Sequence, residues 1–458
     1  MPISQTSATS ISRRNLLAAP AFLQRVNQPP NIIWLTGEDM GNQLGCYGFP
    51  QVRTPNIDRL AGEGVRFNNA FTTAPVCSAS RSAFMTGVFQ ITSGAHHHRS
   101  HRKDGYKLPS GIRLMTDRLR EKGYFTCNVL EVAPGVGGKG KTDFNWDVRK
   151  PFDGTHWNQR AAGQPFFAHI NYQAPHKGPQ FPRARKLMKP LVDPAKIELP
   201  PYWPDHPVVR DEYANFLDAV NLLDQDIGVT LDALEKDGLL DNTIIAFFGD
   251  NGRCLIRGKQ WLYDAGIHVP LVVRWPGSDI KPGSVRDDLA MAIDLTASTL
   301  EMAGVRIPEG DRMDGQPLFG PSHRDRAQIF AARDRCDMTV DRIRCVRTHK
   351  WKYIRNYMPD RPYTQHNEYI ETSYPTLGVM KELYASGKLN ATQSLFMASR
   401  KPEEELYDLT KDPHEVNNLA GVAAVQGEKH KLAAHLDRWL AAADDQGRFP
   451  EKPEAARL

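Results

Sequence analysis

Two apolar runs in this 458-residue chain each end in an acidic group followed by glycine. N-I-I-W-L leads into T-G-E-D-M-G, which holds Glu38 and Asp39, and T-I-I-A-F-F leads into G-D-N-G, which holds Asp250 and Asn251. In an open α/β sheet, ligands bind beyond the carboxyl ends of the strands, so strands of this kind bring the four side chains to one point. Carboxylate and amide oxygens crowded together repel unless a cation lies among them, and an all-oxygen set selects a hard ion, Ca²⁺ or Mg²⁺. The plainer reading of either pair alone is an acidic residue capping a turn. Two pairs at the ends of two similarly built strands favour the metal.

The stretch P-V-C-S-A-S-R sets Cys77 among small polar residues, with Arg81 four positions on. In a helix the two share a face, and Cys77 at its N-terminus would be favoured as an anion by the helix dipole, the arginine and a nearby dication. A thiolate nucleophile is one reading. A soft thiolate matches a hard cation poorly, however, and the motif holds no histidine to serve as its base. Cys46, Cys127, Cys254, Cys336 and Cys345 show no C-x-x-C spacing and read as free thiols. G-A-H-H-H-R-S-H-R follows soon after, with His97, His98, Arg99 and His101. Its readings, in order, are a wall for the anionic groups of a glycan, a solvated loop and a zinc site. Asp334 and Arg335 are weaker candidates for the pocket rim, since alternating charges also mark an exposed strand face.

The elements that must position these residues read as an α/β domain with a sheet covered on both faces. Strands are expected at 31–35, 165–172, 243–248 and 269–275. A helix is expected after Thr54 as N-cap and Pro55, and a long covering helix over 212–234. The proline-rich stretch 180–207 reads as a surface loop. After Met313 the texture changes to short alternating runs and a last amphipathic helix near 428–442, marking a smaller α+β unit with antiparallel strands. The expected division is 1–28 as leader and linker, 29–325 as the main domain and 326–458 as the C-terminal subdomain.

Charged residues make up 24% and the hydrophobic set 40%, ordinary for a globular chain. No apolar run has bilayer-spanning length. With 58 basic against 53 acidic residues there is no dense basic stripe of the kind that binds nucleic acid. Ser12, Arg13 and Arg14 precede a short apolar segment, which resembles a twin-arginine export signal and implies a periplasmic or secreted protein. An arginine pair before leucines by chance is the competing reading, and the protein is cytoplasmic if the signal does not function.

The stretches P-N-I-I-W-L-T-G-E-D, T-P-N-I-D-R-L-A-G-E-G-V-R-F-N-N-A-F, C-S-A-S-R-S-A-F-M-T-G, G-D-N-G and E-L-Y-D-L-T-K-D-P-H-E-V-N-N-L-A together resemble the type I sulfatases of the alkaline-phosphatase superfamily. The resemblance runs from Pro30 to Leu419. It implies a large mixed sheet sandwiched by helices, with an antiparallel sheet in the smaller subdomain. It also implies that Cys77 is oxidised to Cα-formylglycine by a formylglycine-generating or anaerobic sulfatase-maturing enzyme, and that residue 77 joins the metal ligands. Ala79 stands where the family most often has proline, and Glu38 replaces the first aspartate of its acidic pair.

By the same resemblance His176, in Y-Q-A-P-H, protonates the leaving oxygen, and Lys259, in G-K-Q-W-L-Y-D, contacts sulfate. Relatives often carry Gly-Lys-x-His where this chain has G-K-T-D. Lys141 fills the lysine role, while Asp143 stands at the histidine's place as a possible base. The implied activity is hydrolysis of sulfate esters or sulfamates of a sulfated polysaccharide or glycosaminoglycan. The alternatives are a phosphate or phosphonate ester hydrolase of the same superfamily and a catalytically silent sulfated-glycan-binding protein.

Overall fold

Asn31–Gly37 is buried at every position, and its neighbouring side chains belong to two different cores. Ile33 and Leu35 point to one face, and Ile32 and Trp34 to the other, the period-2 alternation of a strand at the middle of a covered sheet. The computed structural model describes residues 29–456, so the twin-arginine motif lies outside the described residues. The strands of the main sheet are β1 (Asn31–Gly37), β2 (Val65–Phe71), β3 (Phe125–Asn128), β4 (Phe166–Tyr172), β5 (Thr243–Gly249), β6 (Leu271–Arg274) and β7 (Ser284–Met291). Their spatial order is β3-β4-β1-β5-β6-β2-β7. β6 runs antiparallel to both its neighbours and the other pairs are parallel, so the sheet is mixed, as the resemblance implied.

One face is covered by the long helix Pro207–Lys236, through Phe216, Leu217 and Val220. The other is covered by the helices Cys77–Thr86 and Ala292–Met302, through Phe84, Met85, Leu295 and Leu300. A second, fully antiparallel sheet has the order β11-β10-β9-β8, with β8 at Ile329–Arg333, β9 at Ile343–Arg347, β10 at Trp351–Asn356 and β11 at Glu404–Asp408. The helix Gln426–Ala443 packs on it. Ile343, Tyr353 and Leu436 share a continuous apolar cluster with Ile33 and Leu35, so the second sheet is docked on the core of the first.

One expectation needs correction. The stretch 180–207 is not all loop, because Gln180–Leu187 is a helix that buries Phe181 and Ala184. Pro182 sits in its first turn, where a missing backbone N–H leaves no hydrogen bond unmade. Thr54 is the N-cap residue of its helix, Pro55–Glu63, as expected, but its side chain makes no capping hydrogen bond. Its hydroxyl accepts from Gly45 N at 2.8 Å and donates to Asp58 Oδ1 at 3.0 Å. The orphan N–H groups of Asn56 and Ile57 are taken instead by Asp224 Oδ1 of the long helix, at 3.1 and 2.8 Å.

Trp34 joins the middle of β1 to the Cys77–Thr86 helix. Its ring meets Phe84, Phe167 and Phe248 edge-on with centroids 5.9, 5.3 and 5.4 Å away, and Nε1 donates to Thr299 Oγ1 at 3.1 Å. Trp34→Ala is expected to cost about 3–5 kcal/mol in denaturant unfolding. A loss below about 1 kcal/mol, the range of surface substitutions, would contradict this account of the core.

Candidate active site

The pairing of β1 with β5 sets Gly37 opposite Gly249. One residue further on, the two acidic turns emerge side by side. Asp39 takes a left-handed backbone (φ 57°), and its N–H donates to Asp250 Oδ1 at 2.9 Å, which ties one turn to the other. Gly37 has no room for a side chain: a Cβ there would lie 2.2 Å from Met40 Sδ. On the other flank β4 pairs Asn171 with Thr36, which brings a further amide to the same edge.

Glu38, Asp39 and Asp250 are all buried, and each has its own cation. Lys141 Nζ contacts Glu38 Oε1, Lys259 Nζ lies 2.7 Å from Asp39 Oδ2, and Arg81 places Nε and Nη2 at 3.0 and 2.8 Å from Asp250 Oδ2. Asn171 bridges the set, donating to Glu38 Oε2 at 3.2 Å and accepting from Arg81 Nη2. Asn251 Nδ2 donates to Asp39 Oδ1 at 3.0 Å. Burial alone would raise Asp39, yet Lys259, His176 and Lys141 hold its carboxyl down at about 2. Glu38 is likewise lowered against its burial, by Lys141, His176 and Arg81. Asp250 is pushed up by burial, and the repulsion of Asp39 and Glu38 adds to this against the pull of Arg81.

These residues fit a hard divalent cation. The donors are oxygens throughout, and Asn251 Oδ1 is a buried acceptor with no hydrogen-bond partner. The two lysine ammonium groups already occupy carboxylate positions that such an ion would share.

Cys77 opens the helix Cys77–Thr86, every residue of which is buried, and Gly87 closes it in a left-handed C-cap (φ 73°). Arg81 is therefore on the nucleophile's own helix, one turn on, as the spacing predicts. Burial pushes the Cys77 thiol up to about 12, with Asp143 and Asp39 raising it and Lys141 and Lys259 opposing them. Burial of this kind favours the neutral thiol and so weighs against the thiolate reading. Cys77 Sγ lies 3.6 Å from His98 Nε2, and His98 Nδ1 lies 2.8 Å from Asp337 Oδ1.

The histidine stretch does not form the wall its composition suggested. His97 Nδ1 accepts from Arg335 N at 3.2 Å, and His101 stacks on Tyr106 (centroids 4.0 Å apart) and pairs with Asp104 at 2.6 Å. Arg99 keeps a half-exposed guanidinium, 3.9 Å from Asp143. His98 faces Cys77 instead. Asp334 is no rim residue either, because Arg344 holds its buried carboxylate at 2.9 Å. Arg335 is engaged by Glu451 at 2.8 Å and serves the loop through its backbone.

Asp143 contacts Arg102 and lies 3.7 Å from Lys141. Against the effect of burial, Lys141, Arg102 and Arg99 hold its carboxyl far below the usual range. Its ligand atom lies within 4.8 Å of those of Cys77 and His98, a mixed sulfur, nitrogen and oxygen set of the kind that takes zinc. The arginine and lysine already spend that carboxylate's charge. His176 stands at the mouth, partly exposed, with Nε2 3.6 Å from Asp39 Oδ2 and 3.7 Å from Glu38 Oε1.

Sequence reasoning missed Asn171 and Asp337. Asn171 lies at a strand end level with the acidic turns, the same signal that marked Glu38. Asp337 lies in D-R-C-D, two residues beyond the aspartate and arginine that were singled out. Gln260 Nε2 supports it, donating to its Oδ2 at 3.3 Å.

The sulfatase family model matches residues 30–131 and 141–305, and a model for the C-terminal part of N-sulphoglucosamine sulphohydrolase matches residues 255–369. The chain is 33% identical to an ulvan-active sulfatase of Formosa agariphila, over 93% of this chain and 77% of that protein. Among solved structures, it is similar to BT4656 in complex with its substrate D-glucosamine-2-N,6-O-disulfate, with TM-score 0.63, 18% identity and 91% and 99% of the two chains covered. It is similar also to the phosphonate monoester hydrolase of Agrobacterium radiobacter, with TM-score 0.68, 16% identity and 93% and 99% covered.

A cation that binds only the folded chain stabilises it by about 2.7 kcal/mol at a hundredfold excess over its Kd. Calcium or magnesium added after chelation is expected to raise the melting temperature, and Asp39→Ala to abolish the rise. An equal rise in that variant would remove the acidic turns from metal binding.

Proposed function

This chain belongs to the sulfatase family, and from that membership we propose that it removes sulfate from a sulfated polysaccharide or glycosaminoglycan through a formylglycine made from Cys77. The observation that carries the proposal is the balance of three buried carboxylates against Arg81, Lys141 and Lys259 at the start of the Cys77 helix, with Arg81 Nη1 and Asn251 Oδ1 left without hydrogen-bond partners. A Ca²⁺ or Mg²⁺ ion held by Glu38, Asp39, Asp250, Asn251 and residue 77 would supply fixed positive charge for the sulfate oxygens, and the hydrated aldehyde a hard oxygen nucleophile.

Arg81 is locked by Asp250 and Asn171, so its free Nη1–H is preorganised for an anionic oxygen. Lys141 and Lys259 add charge where it spreads over the non-bridging oxygens as the bond to sulfur breaks. His176, the partly exposed member, is placed to give a proton to the departing sugar oxygen. Arg99 presents its guanidinium to a second anionic group of the glycan. A maturing enzyme that oxidises Cys77 is the protein partner this chemistry requires. Export through the Ser12–Arg14 leader belongs to the same proposal.

With matured protein, Cys77→Ala is expected to lower turnover on the order of 10⁶-fold, the scale of removing a covalent nucleophile. The tryptic peptide containing residue 77 should carry aldehyde oxygen in place of the thiol. An intact cysteine with full activity would reject the scheme. Faster turnover of an aryl phosphate or phosphonate than of the matched aryl sulfate would instead assign the chain to ester hydrolysis at phosphorus, and binding of a sulfated oligosaccharide without release of sulfate would mark a silent lectin.

His176→Ala is expected to slow hydrolysis of a sugar sulfate about 10²–10⁴-fold. It should leave p-nitrophenyl sulfate nearly untouched, because that leaving group departs without a proton. Equal losses on both substrates would exclude a proton donor at this position.

A further inference from the structure

Asp143 stands where the family resemblance called for a histidine, and its carboxylate is already taken by Arg102 and Lys141. That leaves room for another base at residue 77, and among the described residues the imidazole that touches it is His98's. His98 Nε2 lies 3.6 Å from Cys77 Sγ, and both side chains are buried. On the far side of the ring, Nδ1 lies 2.8 Å from Asp337 Oδ1. An ionised carboxylate only accepts, so Nδ1 carries the ring proton and the lone pair of Nε2 faces residue 77. Nucleophile, imidazole and orienting carboxylate form the three-part arrangement that makes a histidine an effective base.

The loop is built to hold that geometry. Arg99 N donates to Ser78 Oγ at 2.8 Å, and His98 N donates to Arg335 O at 2.9 Å, so the residue is tied to the nucleophile helix on one side and to the Asp337 segment on the other. Arg99 and His101 both adopt left-handed backbone (φ 55° and 57°), an unfavourable conformation for side-chain-bearing residues that these anchors sustain.

We propose that His98, oriented by Asp337, is the catalytic base that releases sulfate from residue 77, in place of the residue at position 143. The inference rests on the sulfatase reading above. After transfer, the sulfuryl group is bonded to one oxygen of the hydrated aldehyde. His98 Nε2 takes the proton from the second hydroxyl, the electron pair of that O–H bond becomes the second C–O bond of the aldehyde, and the bond from carbon to the sulfated oxygen breaks. Sulfate leaves with that electron pair. Water then rehydrates the aldehyde and the proton on Nε2 returns to solvent, so nothing besides water is consumed. Asp337 is a positioning residue in this step.

The test uses the matured full-length chain with p-nitrophenyl sulfate, with acid-quenched intact mass beside steady-state kinetics. His98→Ala is expected to lower kcat about 10²–10⁴-fold with a much smaller change in KM, and to retain one sulfuryl group on the peptide of residue 77. His98→Gln fills the space and keeps a hydrogen-bond donor but cannot take the proton, so it should retain the sulfuryl group as well. Asp337→Asn should show the same retention with a smaller fall in kcat, and the melting temperature reports whether each variant is folded. Turnover in His98→Ala equal to the parent, or retention of the sulfuryl group in Asp143→Asn and not in the His98 variants, would overturn the inference and leave the sulfatase reading standing. A matured parent that releases no sulfate would overturn both.

Discussion

The structure depends on keeping three carboxylates dry. Glu38, Asp39 and Asp250 lie within 1% of complete burial, where an unpaired charge is costly, and the register of β1 against β5 leaves them no way apart. Each must have a cation, and the cations come from distant parts of the chain: Arg81 from the helix after β2, Lys141 from the loop after β3 and Lys259 from the loop after β5. Satisfying one electrostatic demand thus draws three separate segments to a single edge of the sheet. The concentration of positive charge that a sulfate needs is the same concentration that the acidic turns require to fold.

The rigidity of Cys77 follows from the apolar side of the same helix. Phe84 wedges against Trp34 and Phe248 while Arg81, one turn earlier, reaches Asp250. An aromatic cluster below and an ion pair above leave that helix little freedom to rotate. The second sheet contributes Asp337 from the segment after β8, so the surroundings of residue 77 are drawn from both sheets, and the shared apolar cluster fixes one sheet against the other.

Much of this was legible in the sequence because it is local. Apolar runs bounded by turns give the strands, and an acidic residue directly after such a run gives the site. A helix that starts at Cys77 sets Arg81 at the right pitch without any knowledge of the rest. The approach of His98 to Cys77 depends on how the chain folds back over 21 positions, and the contact of His98 with Asp337 spans 239 positions. No periodicity encodes either. The histidine cluster misled because residue type alone cannot separate an imidazole spent on a neighbouring backbone, as at His97, from one aimed at a nucleophile. The proline-rich stretch misled for a different reason: Pro182 is permitted in a helix's first turn, and the buried Phe181 and Ala184 beside it outweigh the local bias.

The loop that carries His98 is fastened by residues from the far end of the chain. His101 N donates to Ala455 O, Gln446 N donates to Ile91 O, each at 2.9 Å, and Glu451 grips Arg335. In a protein synthesised from its amino end, these clasps are made long after the loop they fasten. The segment around Cys77 leaves the ribosome long before them. A chain cut short before Glu451 would possess Cys77, the acidic turns and all three cations, yet would lose the clasps that Glu451 and Ala455 place on Arg335 and His101. Assembly of the site thereby waits on a stretch of chain made long after Cys77.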